Sequence, residues 1–148
     1  ARGFRGSTGG NRGGFASDTL DPQEEQALKM AIDDEYKALA TYLGVMDAFG
    51  QVTPFASIAR AEQQQIAALE RLFTRYGVAV PENEWIGNTP GFDSVADACA
   101  AGVQAEIDNA ALYDELFSMV DNPDILRVFS NLRNASEYNH LPAFSNCQ

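Results

Sequence analysis

The sequence predicts an all-α fold: an antiparallel four-helix bundle with a Gly/Arg-rich N-terminal extension. Three observations lead there. Apolar residues recur every three to four positions in four separate stretches, the period of a helix with one buried face. Three of those stretches open on a polar residue followed by proline (Asp21-Pro22, Thr53-Pro54 and Asn122-Pro123), the order in which a helix is capped and begun. The connections between the stretches are short, long and short, as expected for two helical hairpins joined by one central crossover. With 148 residues, 45% of them hydrophobic, the chain can close one core.

Residues 1–20 read as a tail and residues 21–148 as the bundle. The opening ARGFRGSTGGNRGGFAS has six glycines in its first fourteen positions and too little apolar surface to fold alone. The first helix runs from about Pro22 to Phe49, with Asp21 as its cap and Gly50 beyond its end. The second opens at Thr53, as cap, with Pro54 in its first position, and stops at Gly77. The crossover VAVPENEWIGNTPGF carries several turn signals and the single tryptophan, Trp85. The third helix starts near Asp93 or Ser94 and ends around Val120, and the fourth, capped by Asn122, closes before Pro142.

Charge is divided unevenly. Residues 1–17 hold three arginines and no acid, whereas residues 18–148 hold seven basic and 21 acidic side chains, a net −14. So acidic a body is a poor partner for nucleic acid. No apolar run approaches the roughly 20 residues of a membrane span.

The apolar stripes fix an inward direction for each helix, and each stripe contains polar residues. Glu35 sits within Leu28, Ile32, Leu39 and Tyr42 on the first; Glu62 and Gln65 fall within Ile58, Leu69 and Leu72 on the second. Glu106 is central to Cys99, Ala110 and Tyr113 on the third. On the fourth, His140, the only histidine, lies within roughly 20° of Phe129, and Glu137 lies about 80° away on the flank. Three facing carboxylates without a partner cost several kcal/mol each in a core. Two remedies exist: bound metal cations, or protonation with hydrogen bonds to Tyr42, Tyr113 and Gln65. Carboxylate oxygens with one imidazole suit iron or manganese, with zinc as a common substitute.

At these positions the chain resembles the ferritin-like superfamily of di-iron carboxylate bundles, which take one Glu from each of two helices and Glu-x-x-His from each of the others. Glu35 and Glu106 match the single-Glu helices, and EYNH (Glu137, His140) matches one Glu-x-x-His. EQQQ (Glu62, Gln65) matches the other, with Gln in place of His. FASIARAEQQQ, LERLFTRYGV and NHLPAF are similar to a bacterial and archaeal ferritin-like domain family of unassigned function. The resemblance spans roughly residues 22–146 and implies a degenerate di-iron-type site with iron or peroxide redox chemistry. It implies Glu62 as the bridging ligand and Glu106 with His140 on the better-furnished metal. It also gives Gln65 the place of a weak ligand or hydrogen-bond partner and makes Tyr42 and Tyr113 supports for the carboxylates. One spacing departs from the pattern. Phe55 to Glu62 is seven residues and Phe129 to Glu137 is eight, so aligning the phenylalanines sets Ser136 opposite Glu62. A bend near the helix end restores Glu137; a straight helix leaves it outside.

A second class of function is a structural subunit. In an antiparallel bundle the start of the third helix lies beside the end of the fourth, so Cys99 and Cys147 can meet in a disulfide. A disulfide, and a chain beginning at Ala1 instead of Met, lead us to expect export to the periplasm, cell surface or medium. The cationic tail complements the acidic body, so the tail of one copy is expected to contact the next in a homo-oligomer, ring or filament. On that reading the carboxylate site is vestigial, without a cofactor, or merely stabilising.

Overall fold

The structure, a computed structural model, describes residues 19–147. The Gly/Arg-rich segment read as a tail lies outside them, apart from its last two residues. Those described are all-α, without a strand, and no helix among them is long and apolar enough to cross a membrane.

Helix α1 spans Pro22–Phe49 and begins as predicted. Asp21 Oδ1 accepts from the Glu24 amide at 2.7 Å and Glu24 Oε1 accepts from the Asp21 amide at 3.3 Å, a reciprocal cap. The other oxygen of Glu24 accepts from the Asp121 and Asn122 amides, joining the start of α1 to the approach to α4. Gly50, at φ 87°, ends α1 in a backbone region that side chains disfavour.

Helix α2 spans Phe55–Arg75, and Thr53 does not cap it. Backbone does that work instead: the Ala56 amide donates to the Val52 carbonyl and the Ile58 amide to the Pro54 carbonyl. The crossover is fastened along α1 by Tyr36 Oη donating to the Pro81 carbonyl (2.7 Å) and by Trp85 Nε1 donating to Asp33 Oδ1 (3.0 Å). Helix α3 spans Val95–Leu116, with Ser94 capping the Asp97 amide, and runs into a 3₁₀ turn, Phe117–Met119.

Helix α4 spans Pro123–Ala135, capped by Asn122. It does not close before Pro142. A π-helical turn, Ser136–His140, carries the chain directly into a short helix α5, Leu141–Ser145. The Leu141 amide reaches back five residues to the Ser136 carbonyl, and Pro142, which has no amide to place, fits the first turn that follows.

Two apolar clusters fill the bundle. One holds Leu28, Ile32, Leu69, Phe73, Leu116 and Phe129; the other holds Tyr42, Val45, Phe55, Ala98, Cys99 and Phe144. Along α1 and α4–α5 the first cluster precedes the second, and along α2 and α3 the order is reversed. Consecutive helices in each hairpin therefore run antiparallel, and the crossover travels the length of the bundle. Glu35, Glu62, Gln65, Glu106 and His140 all fall between the two clusters, in one polar layer.

The close approach of α3 to α5 depends on Gly102. A Cβ there would lie 2.7 Å from the Phe144 ring, which is completely buried. Gly102→Ala is expected to destabilise the protein by about 1–3 kcal/mol through overpacking, read as a lower denaturant midpoint at unchanged slope.

Candidate metal centre

The polar layer is assembled by α1, α2, α3 and the π turn that follows α4. Glu62 on α2, Glu106 on α3 and His140 in the π turn each offer a ligand atom within 4.8 Å of the others. His140 Nδ1 lies 3.2 Å from Glu62 Oε1 and 3.2 Å from Glu106 Oε1. Only the Glu106 contact has hydrogen-bond geometry. Tyr42 Oη donates to Glu106 Oε2 at 2.5 Å, and Tyr113 Oη donates to Glu35 Oε2 at 2.5 Å. Each tyrosine is packed in one apolar cluster and reaches the layer with its hydroxyl, Tyr113 from one side and Tyr42 from the other.

Four buried acceptors in this layer have no donor: Glu35 Oε1, both oxygens of Glu62, and Gln65 Oε1. They are the whole set of such side-chain atoms among the described residues. No lysine or arginine is buried among the described residues. Burial first, then the charge of Glu62, holds Glu35 well above the usual carboxylate range. Burial, then Glu106, pushes Glu62 up to about 8. Burial and the neighbouring carboxylates also hold Tyr42 and Tyr113 well above the ordinary tyrosine range, so both remain hydrogen-bond donors. Such a layer wants positive charge, supplied either by protons on Glu35 and Glu62 or by a cation.

The donor set fits a cation. Two carboxylates and an imidazole match a divalent transition metal, and the unpartnered oxygens of Glu62 are atoms a metal would take. Gln65 Nε2 lies 3.5 Å from His140 Nε2. A glutamine amide turned end for end keeps its shape. In that orientation Gln65 Oε1 accepts from Nε2–H, and the Nδ1 lone pair is left facing the two carboxylates, a place for a cation or for a proton carried by Glu62.

The structure brings together Glu35, Glu62, Gln65, Glu106 and His140, with Tyr42 and Tyr113 beside them. Glu137 is not brought in. Its carboxylate is partly exposed and accepts from Arg133 Nη1 at 2.8 Å, and that ion pair holds it below the usual range. Helix α4 runs regularly to Ala135, so helical period sets Ser136 at the interior position seven residues after Phe129 and leaves Glu137, eight after it, on the flank; the π turn Ser136–His140 does not bring Glu137 in.

Sequence reasoning missed a second polar chain. Ser136 Oγ donates to Asn109 Oδ1 at 2.5 Å, and Asn109 Nδ2 donates to Asp34 Oδ2 at 2.6 Å. Asn109 follows Glu106 by three on the same helix face, which was the available signal. A second acidic group, Asp21, Glu24 and Asp121, is also close enough for a metal, but Glu24 is already satisfied by three backbone amides.

Cys99 and Cys147 are bonded, with their Cα atoms 5.9 Å apart.

A family model described as an uncharacterized protein domain, DUF2202, matches residues 24–147. The crystal structure of a hypothetical protein from Methanococcus jannaschii superposes with a TM-score of 0.76 at 24% identity, covering 95% of this chain and 84% of that one. That likeness is one of fold. No curated protein matches the chain.

Proposed function

The chain belongs to the DUF2202 family, and from the polar layer of its bundle we propose a metal-binding protein of ferritin-like architecture whose site is a degenerate di-iron-type centre. Glu62, Glu106 and His140 hold one cation, with iron or manganese favoured over zinc by the oxygen-rich donor set. Glu35 and Gln65 frame a poorer second position that lacks a nitrogen ligand. The observation that carries this reading is the group of four buried acceptors without donors, gathered beside the only histidine.

Iron held there supplies one-electron redox chemistry towards dioxygen or peroxide. The chain's own part is to bind and orient. Tyr42 and Tyr113 fix the far oxygens of Glu106 and Glu35, and the two apolar clusters keep bulk water from the layer. Counting iron, manganese and zinc per chain in protein purified from its native source tests the reading. About one metal per chain is expected from the single well-furnished donor set, and metal-free protein that also ignores added iron(II) and manganese(II) would overturn it.

The charge division favours a second reading, a structural subunit of an extracellular homopolymer. There the cationic segment 1–17 of one copy meets the acidic bundle of the next. The disulfide supports an exported location for either reading. Deleting residues 1–17 separates the two: assembly fails under the second, while metal content is unchanged under the first.

A further inference from the structure

The disulfide joins the two elements that bring Glu106 to His140, and at matched intervals. Cys99 lies seven residues before Glu106, and Cys147 lies seven residues after His140. Between these rungs Phe144 packs on Gly102. On the opposite side of the pair, the Ser136 hydroxyl is bonded to Asn109. The imidazole is therefore bracketed, by a hydrogen bond one turn before it and by a covalent bond after it.

The covalent bracket carries more than its share. Helix α5 has five residues, far below the length at which a helix holds itself, and only Phe144 among them is buried. The π turn ends on the Leu141 amide at the head of this segment, so its register depends on the segment staying against α3.

We propose that the Cys99–Cys147 disulfide is a redox-controlled clamp on the metal ligand His140, released by dithiols. The proposal rests on the metal-binding reading above. Closed, it fixes Nδ1 against Glu62 and Glu106; opened, it frees residues 141–147, lets the π turn relax and weakens metal retention. Cys99 is fully buried and Cys147 is partly exposed, so the incoming thiolate attacks Cys147 Sγ. A mixed disulfide forms as the bond to Cys99 breaks, and Cys99 leaves as a thiolate that takes a proton. The second thiol of the reductant then displaces Cys147, which is also protonated. In balance the protein gains two electrons and two protons, and the dithiol becomes a disulfide.

The test compares oxidised protein, protein reduced by a dithiol and then freed of it, and Cys147→Ser, which keeps the buried Cys99 thiol. Manganese(II) binding is read from the electron paramagnetic resonance of the free ion, and His140, as the only histidine, from the Cε1 proton resonance of its ring in metal-free protein. Opening the clamp should weaken manganese binding about 10–100-fold, the usual effect of losing a support behind a ligand. It should also broaden or shift the His140 resonance while helical circular dichroism is retained. Equal affinity and an unchanged resonance in all three forms overturn the clamp. Loss of helix on reduction overturns it too, because the bond is then a general staple. If oxidised protein binds no manganese and no iron(II), the metal-binding reading fails, and an unchanged His140 resonance on reduction separately rejects the clamp.

Discussion

Glu62→Gln is expected to abolish metal retention while making the metal-free protein more stable. Both effects follow from one carboxylate. Glu62 is buried, both its oxygens lack donors, and it stands 3.2 Å from the imidazole nitrogen with Glu106 on the other side. Its charge is the part of the site that a cation rewards most and that an empty core tolerates least. Glutamine keeps the volume and removes the charge. Manganese(II) affinity should fall by two orders of magnitude or more, beyond the roughly 10–100-fold that loss of a mere supporting group costs. In denaturant titrations of metal-free protein at pH 8, the variant should be more stable by about 1–4 kcal/mol, the order gained when buried ion pairs give way to well-packed apolar residues. A variant that still bound manganese with wild-type affinity would rule out Glu62 as a ligand.

Metal-free protein is expected to lose stability between about pH 5 and pH 8, where many proteins are at their most stable. Glu62 is pushed up to about 8 in the folded chain from an ordinary 4.5 in the unfolded one. Between those values the folded state holds a proton that the unfolded state has released, so folding takes up protons and its free energy weakens as pH rises. The contribution of Glu62 is fully present below about 4.5 and is lost as pH passes through about 8. Glu35, held well above the carboxylate range by burial and by Glu62, extends the decline in the same direction. Metal reverses the slope, since a cation displaces these protons and binds more tightly as pH rises. Thermal unfolding at pH 5, 6.5 and 8, with and without manganese(II), checks the sign. A metal-free melting temperature that climbed from pH 5 to 8 would mean that the carboxylates are charged and compensated by something other than a proton or a metal.

The helices themselves were legible for local reasons. Asp21-Pro22 and Asn122-Pro123 set the starts of α1 and α4 through caps that act within four residues. Thr53-Pro54 followed the same rule and failed, because the Val52 carbonyl took the Ala56 amide that Thr53 was expected to serve. The inward direction of Glu35, Glu62 and Glu106 came from helical period alone, and the layer they form is where that period placed them. Glu137 shows the limit. Its place on the wheel was the flank, resemblance to a Glu-x-x-His motif drew it inward, and the structure leaves it paired with Arg133.

By itself, then, the sequence determined the four helices, their hairpin order and the polar layer. Each depends on period, capping or chain reversal, which act over short stretches of chain. Tertiary structure alone decided the π turn, because an extra residue between Phe129 and His140 changes helical phase only when packing on α3 holds both ends in place. Packing across helices also made the contacts that period cannot state, Ser136 on Asn109 and the only imidazole beside two carboxylates.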